Sequence, residues 1–164
     1  MSRVLLTGAS GRLGRYVLAA LRKRQHQVQT FDKAPGPADT SHTQADILDW
    51  DSIRSAMTGM EMVVHLAALD ASVAASERMF FEVNVQGTWN VLEAAEQAGV
   101  QRVVLCSSVA VLGLADDRPP DCLPVDETHA CRPYHAYGLS KQVAETTAEC
   151  FARRGSLQVV CLRP

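Results

Sequence analysis

The chain has 164 residues, 47% of them hydrophobic, 21% charged and 5% aromatic, which suits one globular domain with a single sizeable core and leaves too little for two. A formal charge of −2 supplies no basic field for nucleic acid or an anionic membrane, so neither is expected as a partner. Five cysteines without a CxxC pair argue against a disulfide framework and for a reducing cytoplasm, and with no apolar run near the ~20 residues of a membrane span, neither a signal peptide nor a membrane anchor is expected.

In chain order, short apolar runs alternate with helical periodicity. Strands are predicted over residues 4–7, 27–31, 42–45, 62–66, 103–106 and 157–162, and helices over 13–23, 52–57, 77–98 and 136–153. Several of the strands are continuously apolar, as strands covered on both faces are. Gly99 stands where a helix C-cap is wanted, and the basic runs Arg22–Lys23–Arg24 and Arg153–Arg154 stand at helix C-termini, where cations suit the dipole. Residues 33–40 and the proline-bearing stretch 114–133 read as surface loops. Strands joined by helices predict a doubly wound parallel α/β sheet, a Rossmann fold of strand order 3-2-1-4-5-6, filling residues 1–164 as one domain.

Between the first strand and the first helix lies Thr7-Gly8-Ala9-Ser10-Gly11-Arg12-Leu13-Gly14, a GxxGxxG spacing. Gly8 permits a tight turn, Gly11 lets backbone amides approach a phosphate, and Gly14 lets the helix pack on the sheet. The helix N-terminus then presents free N–H groups and a favourable dipole to a pyrophosphate. Glycine turns are common, but a turn that follows the first strand and opens an amphipathic helix is the context of a dinucleotide site. Asp32 ends the second strand, 18 residues past Gly14. A carboxylate there can accept both hydroxyls of an adenosine ribose and repels a 2′-phosphate, which predicts NAD over NADP. Lys33 and Arg12 are the two cations that could counter such a phosphate.

Tyr137-Gly138-Leu139-Ser140-Lys141 sets a phenol and an ammonium on one face of a helix. A phenol with an ordinary pKa of about 10 is a poor base at neutral pH. A nearby ammonium and the positive ring of an oxidised nicotinamide favour its phenolate, which can then take a proton from a substrate hydroxyl as hydride leaves. Ser108 follows the fifth strand, at the carboxyl edge where open α/β sheets bind ligands, and its hydroxyl can hold the same substrate oxygen. Tyr134 is no rival, because Gly138 stands four residues after it.

Together TGASGRLG, Asp32, VVHLAA (63–68), NVQGTWNVLEAA (84–95), CSSVAVLG (106–113), YGLSK and the closing LRP resemble the extended short-chain dehydrogenase/reductases, the NAD-dependent epimerase/dehydratase family. The resemblance runs the length of the chain. It implies Ser108, Tyr137 and Lys141 as the catalytic triad. It also implies a cofactor contact set of Gly8, Ser10, Gly11, Arg12, Leu13, Gly14, Asp32, Lys33, Asp46, Ile47, Leu66, Ala67, Ala68, Asn84 and Ser107, shared with Tyr137 and Lys141. Within that set Asp46 and Ile47 lie near the adenine, Asn84 shapes the site behind the nicotinamide, and Lys141 also bonds the nicotinamide ribose. The family often has tyrosine where Leu112 stands. Its members usually continue past LRP into a smaller substrate-binding domain, absent from these 164 residues. The implied function is an NAD-dependent oxidoreductase or epimerase acting on a secondary alcohol of a sugar-like substrate, a nucleotide sugar or uronic acid. The competing reading is a non-catalytic NAD-binding sensor or interaction module, which would have no reason to keep the serine and the YxxxK pair. The family's equivalent helices pair across a two-fold axis, which implies a homodimer through the helices after strands 4 and 5; the same faces could also pack on the sheet.

Cys122, His129, Cys131 and His135 fall in one loop, but with six, one and three residues between them they match no compact zinc pattern, and no metal is expected. His65, in mid-strand, reads as a satisfied core histidine. Cys106 and Cys161 read as small buried apolar groups, and nothing near Cys150 would activate it.

Overall fold

The computed structural model describes residues Met1–Pro164. It contains β1 (Arg3–Thr7), α1 (Arg12–Lys23), β2 (Gln27–Asp32), β3 (His42–Gln44), α2 (Trp50–Ala56), β4 (Met62–His65), α3 (Glu77–Phe80), α4 (Gly87–Gln97), β5 (Arg102–Cys106), α5 (Ala136–Arg153) and β6 (Gln158–Leu162). The six strands form one all-parallel sheet in the expected order, β3-β2-β1-β4-β5-β6. The order reverses between β1 and β4, so the carboxyl ends of these two neighbours open a crevice, the place where ligands bind in such sheets.

The two faces of the sheet are covered unequally. Leu5, Val63, Val103 and Leu105 pack under α2, α4 and α5 with Ile53, Leu92 and Phe151, in a cluster of 18 buried residues. On the opposite face Leu6, Ala9 and Leu18 make a small core beneath α1. The row Leu6, Val64, Val104, Val160 runs across that second face. Towards the β6 edge it opens, and Val160 and Leu162 are 47% and 53% exposed.

Several predicted boundaries move, for local reasons. The second helix begins at Trp50 because Asp49 caps it, accepting the Ser52 N–H at 3.2 Å and the Ser52 hydroxyl at 2.7 Å. The helix predicted over 77–98 is not continuous: α3 and α4 are joined by a π-helical turn, Phe81–Gln86. A π turn takes one more residue than an α turn and re-aims the side chains it carries. Here it carries Asn84, which is 1% exposed. Gly99 does end α4, with φ +72°. A short 3₁₀ helix, Val109–Leu112, follows β5, and the loop predicted over 114–133 includes one antiparallel bridge, Ala115 to Arg118. The helix predicted over 136–153 is α5, with the same ends.

Candidate active site

The glycine loop is dictated by the chain's own packing. Gly8 has φ +71°, and a Cβ on it would stand 2.5 Å from the Ala67 nitrogen. A Cβ on Gly14 would collide with the Gly8 carbonyl oxygen, so α1 passes the loop as closely as backbone permits. Gly11 is the N-cap of α1, which has no side-chain cap and no acidic residue in its first turn. The first N–H groups of α1 are therefore free, and the positive end of its dipole is unopposed. Two cavities, of about 400 and about 370 Å³, meet at this helix end, both lined by Gly8, Gly11, Leu66 and Ala68. An uncapped helix end set between two clefts fits a diphosphate joining two ring-bearing halves.

The first cavity lies over the carboxyl ends of β1, β2 and β3. Asp32 is fixed there by two backbone donors: Oδ2 accepts from the Ser10 N–H and Oδ1 from the Ala34 N–H, each at 2.9 Å. One carboxylate thus ties the glycine loop to the end of β2. Lys33 turns away and its Nζ meets Asp46 Oδ2 at 2.8 Å. That bond holds the Asp46 carboxyl below the usual carboxylate range and raises the Lys33 ammonium. Phe31, Ala45 and Ile47 supply an apolar floor beside these charges.

The second cavity brings together Ser108, Tyr137 and Lys141 with Arg12, Leu13 and Ser107. Lys141 is 6% exposed and its Nζ donates to the Cys106 carbonyl at 2.9 Å. Burial pushes its ammonium below the ordinary lysine value. Ser108 caps the 3₁₀ helix, its Oγ accepting from the Ala110 N–H at 3.2 Å, which leaves the hydroxyl proton free to donate. Tyr137 opens α5 half-buried, with Phe80 edge-on to its ring at 6.0 Å and His135 stacked on it at 6.1 Å. His135 caps α5, Nδ1 accepting the Gly138 N–H at 2.9 Å.

Behind this wall is a buried polar lattice. Asn84 Oδ1 accepts the Leu69 N–H at 2.8 Å, and Nδ2 donates to the Leu69 carbonyl and to Ser140 Oγ, both at 3.0 Å. Ser140 Oγ in turn donates to the Tyr137 carbonyl at 2.7 Å. His65, 2% exposed, pairs through Nδ1 with Thr7 Oγ1 at 2.7 Å and through Nε2 with Thr88 Oγ1 at 3.1 Å. Desolvation, with Lys141 adding to it, pushes its pKa down to about 3, so it is a neutral, satisfied core histidine.

Gly8, Ser10, Gly11, Asp32, Lys33, Asp46, Ile47, Leu66, Ala67 and Ala68 line the first cavity; Arg12, Leu13, Gly14, Ser107, Ser108, Tyr137 and Lys141 line the second. Asn84 alone of the predicted set lines neither and stands behind them. Sequence reading missed Phe31, Ala34, Ala45, Leu69, Met79 and Val83 on the first cavity, and Asp70, Cys106 and Pro164 on the second. It also missed Ser140, although Ser140 lies inside the YGLSK motif, one turn after Tyr137. The four side chains weighed as zinc ligands are occupied elsewhere or point apart. His129 accepts the Asp121 N–H and faces the Ala130 carbonyl, Cys131 accepts from Arg163, His135 caps α5, and Cys122 is exposed. No group of three His, Cys, Asp or Glu side chains gathers to hold a metal, and no helix is long and apolar enough to cross a membrane.

Comparison with known proteins places this geometry. A family model described as the NAD dependent epimerase/dehydratase family matches residues 4–164. The N-acetyl-alpha-D-glucosaminyl-diphospho-ditrans,octacis-undecaprenol 4-epimerase of Escherichia coli O157:H7 is 37% identical over 87% of this chain and 41% of its own length. The L-arabinose 1-dehydrogenase (NAD(P)(+)) of Haloferax volcanii is 34% identical over 99% of this chain and 66% of its own. Among solved structures, a short-chain dehydrogenase/reductase superfamily protein from Agrobacterium tumefaciens with bound NAD superposes with a TM-score of 0.89 at 36% identity, over 98% of this chain and 48% of that one. The chain thus spans roughly two fifths to two thirds of the length of these relatives.

Proposed function

The chain belongs to the NAD-dependent epimerase/dehydratase family, and on that premise we propose that it binds NAD across the two cavities and is the cofactor half of an enzyme acting on a sugar-like secondary alcohol. Asp32 would hold the ribose of the adenosine, Asp46 and Ile47 would flank the adenine, and the free N-terminus of α1 would hold the diphosphate. NAD, when bound, supplies the hydride acceptor. Tyr137 Oη takes the proton of the substrate hydroxyl, and Ser108, whose oxygen is already engaged by Ala110, donates to the same substrate oxygen. Lys141 supplies positive charge beside the phenol and orients the nicotinamide ribose. Asn84 and Ser140 hold the first turn of α5, and so Tyr137, against the loop after β4. The substrate class, a nucleotide sugar or a uronic acid, takes its support from a relative named uronate dehydrogenase and from a similar structure solved with UDP-glucose and NAD.

The observation that carries this reading is the meeting of Ser108, Tyr137 and Lys141 in one cavity at the uncapped end of α1. Calorimetric titration of the chain with NAD and NADP tests the cofactor: NAD is expected to bind more tightly, and the reverse order removes Asp32 from its assigned role. For the reaction, the complete protein is assayed with nucleotide sugars and uronic acids. Turnover that survives Tyr137→Phe undiminished removes Tyr137 as the base.

A homodimer through the helices after β4 and β5 belongs to the same proposal. It is supported by the exposed Phe81, Trp89 and Leu139, at 37%, 42% and 42%, and sedimentation of Trp89→Glu as a monomer beside a dimeric parent tests it. Five free thiols support a reducing, cytoplasmic location, which fractionation of the source cells checks.

A further inference from the structure

The rim of the first cavity carries a charge arrangement that the proposed chemistry does not use. Among the residues lining that cavity one is cationic, Lys33, and two are acidic, Asp32 and Asp46. Lys33 follows Asp32 directly, so its stem starts at the ribose edge, yet its ammonium lies 2.8 Å from Asp46 Oδ2. The Asp46 carboxylate is anchored on its own turn, Oδ1 accepting the Leu48 N–H at 3.1 Å. The Lys33 carbonyl is held by Gln44 Nε2 at 3.2 Å. Acid and backbone are therefore fixed, and the flexible lysine stem spans the gap between them.

We infer that Asp46 is a specificity-determining residue for the cofactor: by pairing with Lys33 it withdraws the one cation of this cavity that could meet a 2′-phosphate. The inference rests on the NAD reading above and deepens it. Asp32 supplies repulsion, and Asp46 keeps that repulsion uncompensated. Because the Lys33 side chain is 80% exposed, the pair is loose and screened, and the expected effect is moderate.

The test is a four-protein cycle: the chain itself, Asp46→Asn, Lys33→Gln and the double variant, each titrated calorimetrically with NAD and with NADP at low salt. Asparagine keeps the acceptor for Leu48. Any contact of residue 46 with the adenine is common to both cofactors and cancels in the ratio Kd(NADP)/Kd(NAD). Asp46→Asn is expected to lower that ratio roughly five- to tenfold, Lys33→Gln to leave it within about twofold, and the double variant to match Lys33→Gln. An unchanged ratio in Asp46→Asn overturns the inference. So does an equal fall in the double variant, since removal of a negative charge alone would then be the cause. A large rise in Lys33→Gln also overturns it, because Lys33 would already be serving the phosphate. If the parent chain binds neither dinucleotide, the NAD reading fails and takes the inference with it; if it binds NAD and only the cycle fails, the NAD reading stands.

Discussion

The cavity at Asp32 and the cavity at Tyr137 share a glycine loop but are built differently. At the first, the charged groups sit on turns: Lys33 is 80% exposed, Asp46 is 37% exposed, and their bond joins two loops through water-accessible space. At the second, Lys141, Asn84, Ser140 and His65 are all buried, at 6%, 1%, 0% and 2%, and their partners come from β1, the loop after β4, β5, the π turn, α4 and α5. Burying a polar group costs free energy unless each of its hydrogen bonds is made. Each of these four side chains has at least one such partner, whereas Ser107 Oγ in the same wall is buried without one. The first leaves its charges hydrated, so it can adjust which cofactor it prefers without disturbing the fold.

Substitutions at the two ends should therefore differ in kind as well as in size. The largest effect is expected of Tyr137→Phe in the complete protein. Hydride transfer to a sugar-like alcohol, followed by reduced-nicotinamide absorbance, should fall by about 10²- to 10⁴-fold, with NAD affinity altered less than about threefold. Equal turnover would mean that the buried end is architecture without chemistry. Next comes Asn84→Ala. It strands both the N–H and the carbonyl of Leu69 and frees Ser140, so urea denaturation should show a loss of about 2–4 kcal/mol. A loss under about 0.5 kcal/mol would show that the lattice behind Tyr137 is not a structural unit.

The two ends were also unequally legible in the sequence. The six strands, the loop from Gly8 to Gly14 and both ends of α5 could be read from periodicity, glycine spacing and basic helix termini, because those signals are local. The pairing of Lys33 with Asp46 has no local signal, since it joins two turns on different strands. The π turn was hidden for a related reason. Residues 77–98 keep a helical composition throughout, and the extra residue at Phe81–Gln86 is explained only by where Asn84 must point, towards Leu69 and Ser140, 15 and 56 positions away. His65 was legible as a core residue, but Thr7 and Thr88 as its partners were not.

His65 converts the buried end into a pH dependence. Its pKa is about 3 in the fold, against 6.5 ordinarily, so below pH 6.5 the unfolded chain binds a proton that the folded one refuses. Acid therefore favours unfolding: stability present above pH 6.5 is lost as the pH falls towards 3, by at most about 1.4 kcal/mol per pH unit. Between pH 6.5 and 5 the loss should be about 2 kcal/mol more in the parent chain than in His65→Gln, compared as differences in urea unfolding. Equal slopes in the two proteins would show that His65 is protonated in the fold.

The smallest effects come from setting one ion pair of each end against the other. Arg163, from the closing LRP, grips Glu145 with two bonds, Nε to Oε1 at 2.9 Å and Nη2 to Oε2 at 2.7 Å. Their side chains are 27% and 13% exposed. Burial alone would raise the Glu145 carboxyl, but the Arg163 bonds, with Ser107 and the Lys141 charge beside them, together outweigh it and hold the pKa down. The fork ties the end of β6 to α5 one turn past Lys141, in a setting where solvent screens it little. Arg163→Met should cost about 1–2 kcal/mol in urea and change little between low and high salt. Lys33→Gln should leave the urea midpoint where it was at any salt, because its pair stands in solvent and holds no two elements of the core together. A similar loss from both would mean that exposure does not separate the two ends, and that the adenosine end is as firmly built as the end that carries Tyr137.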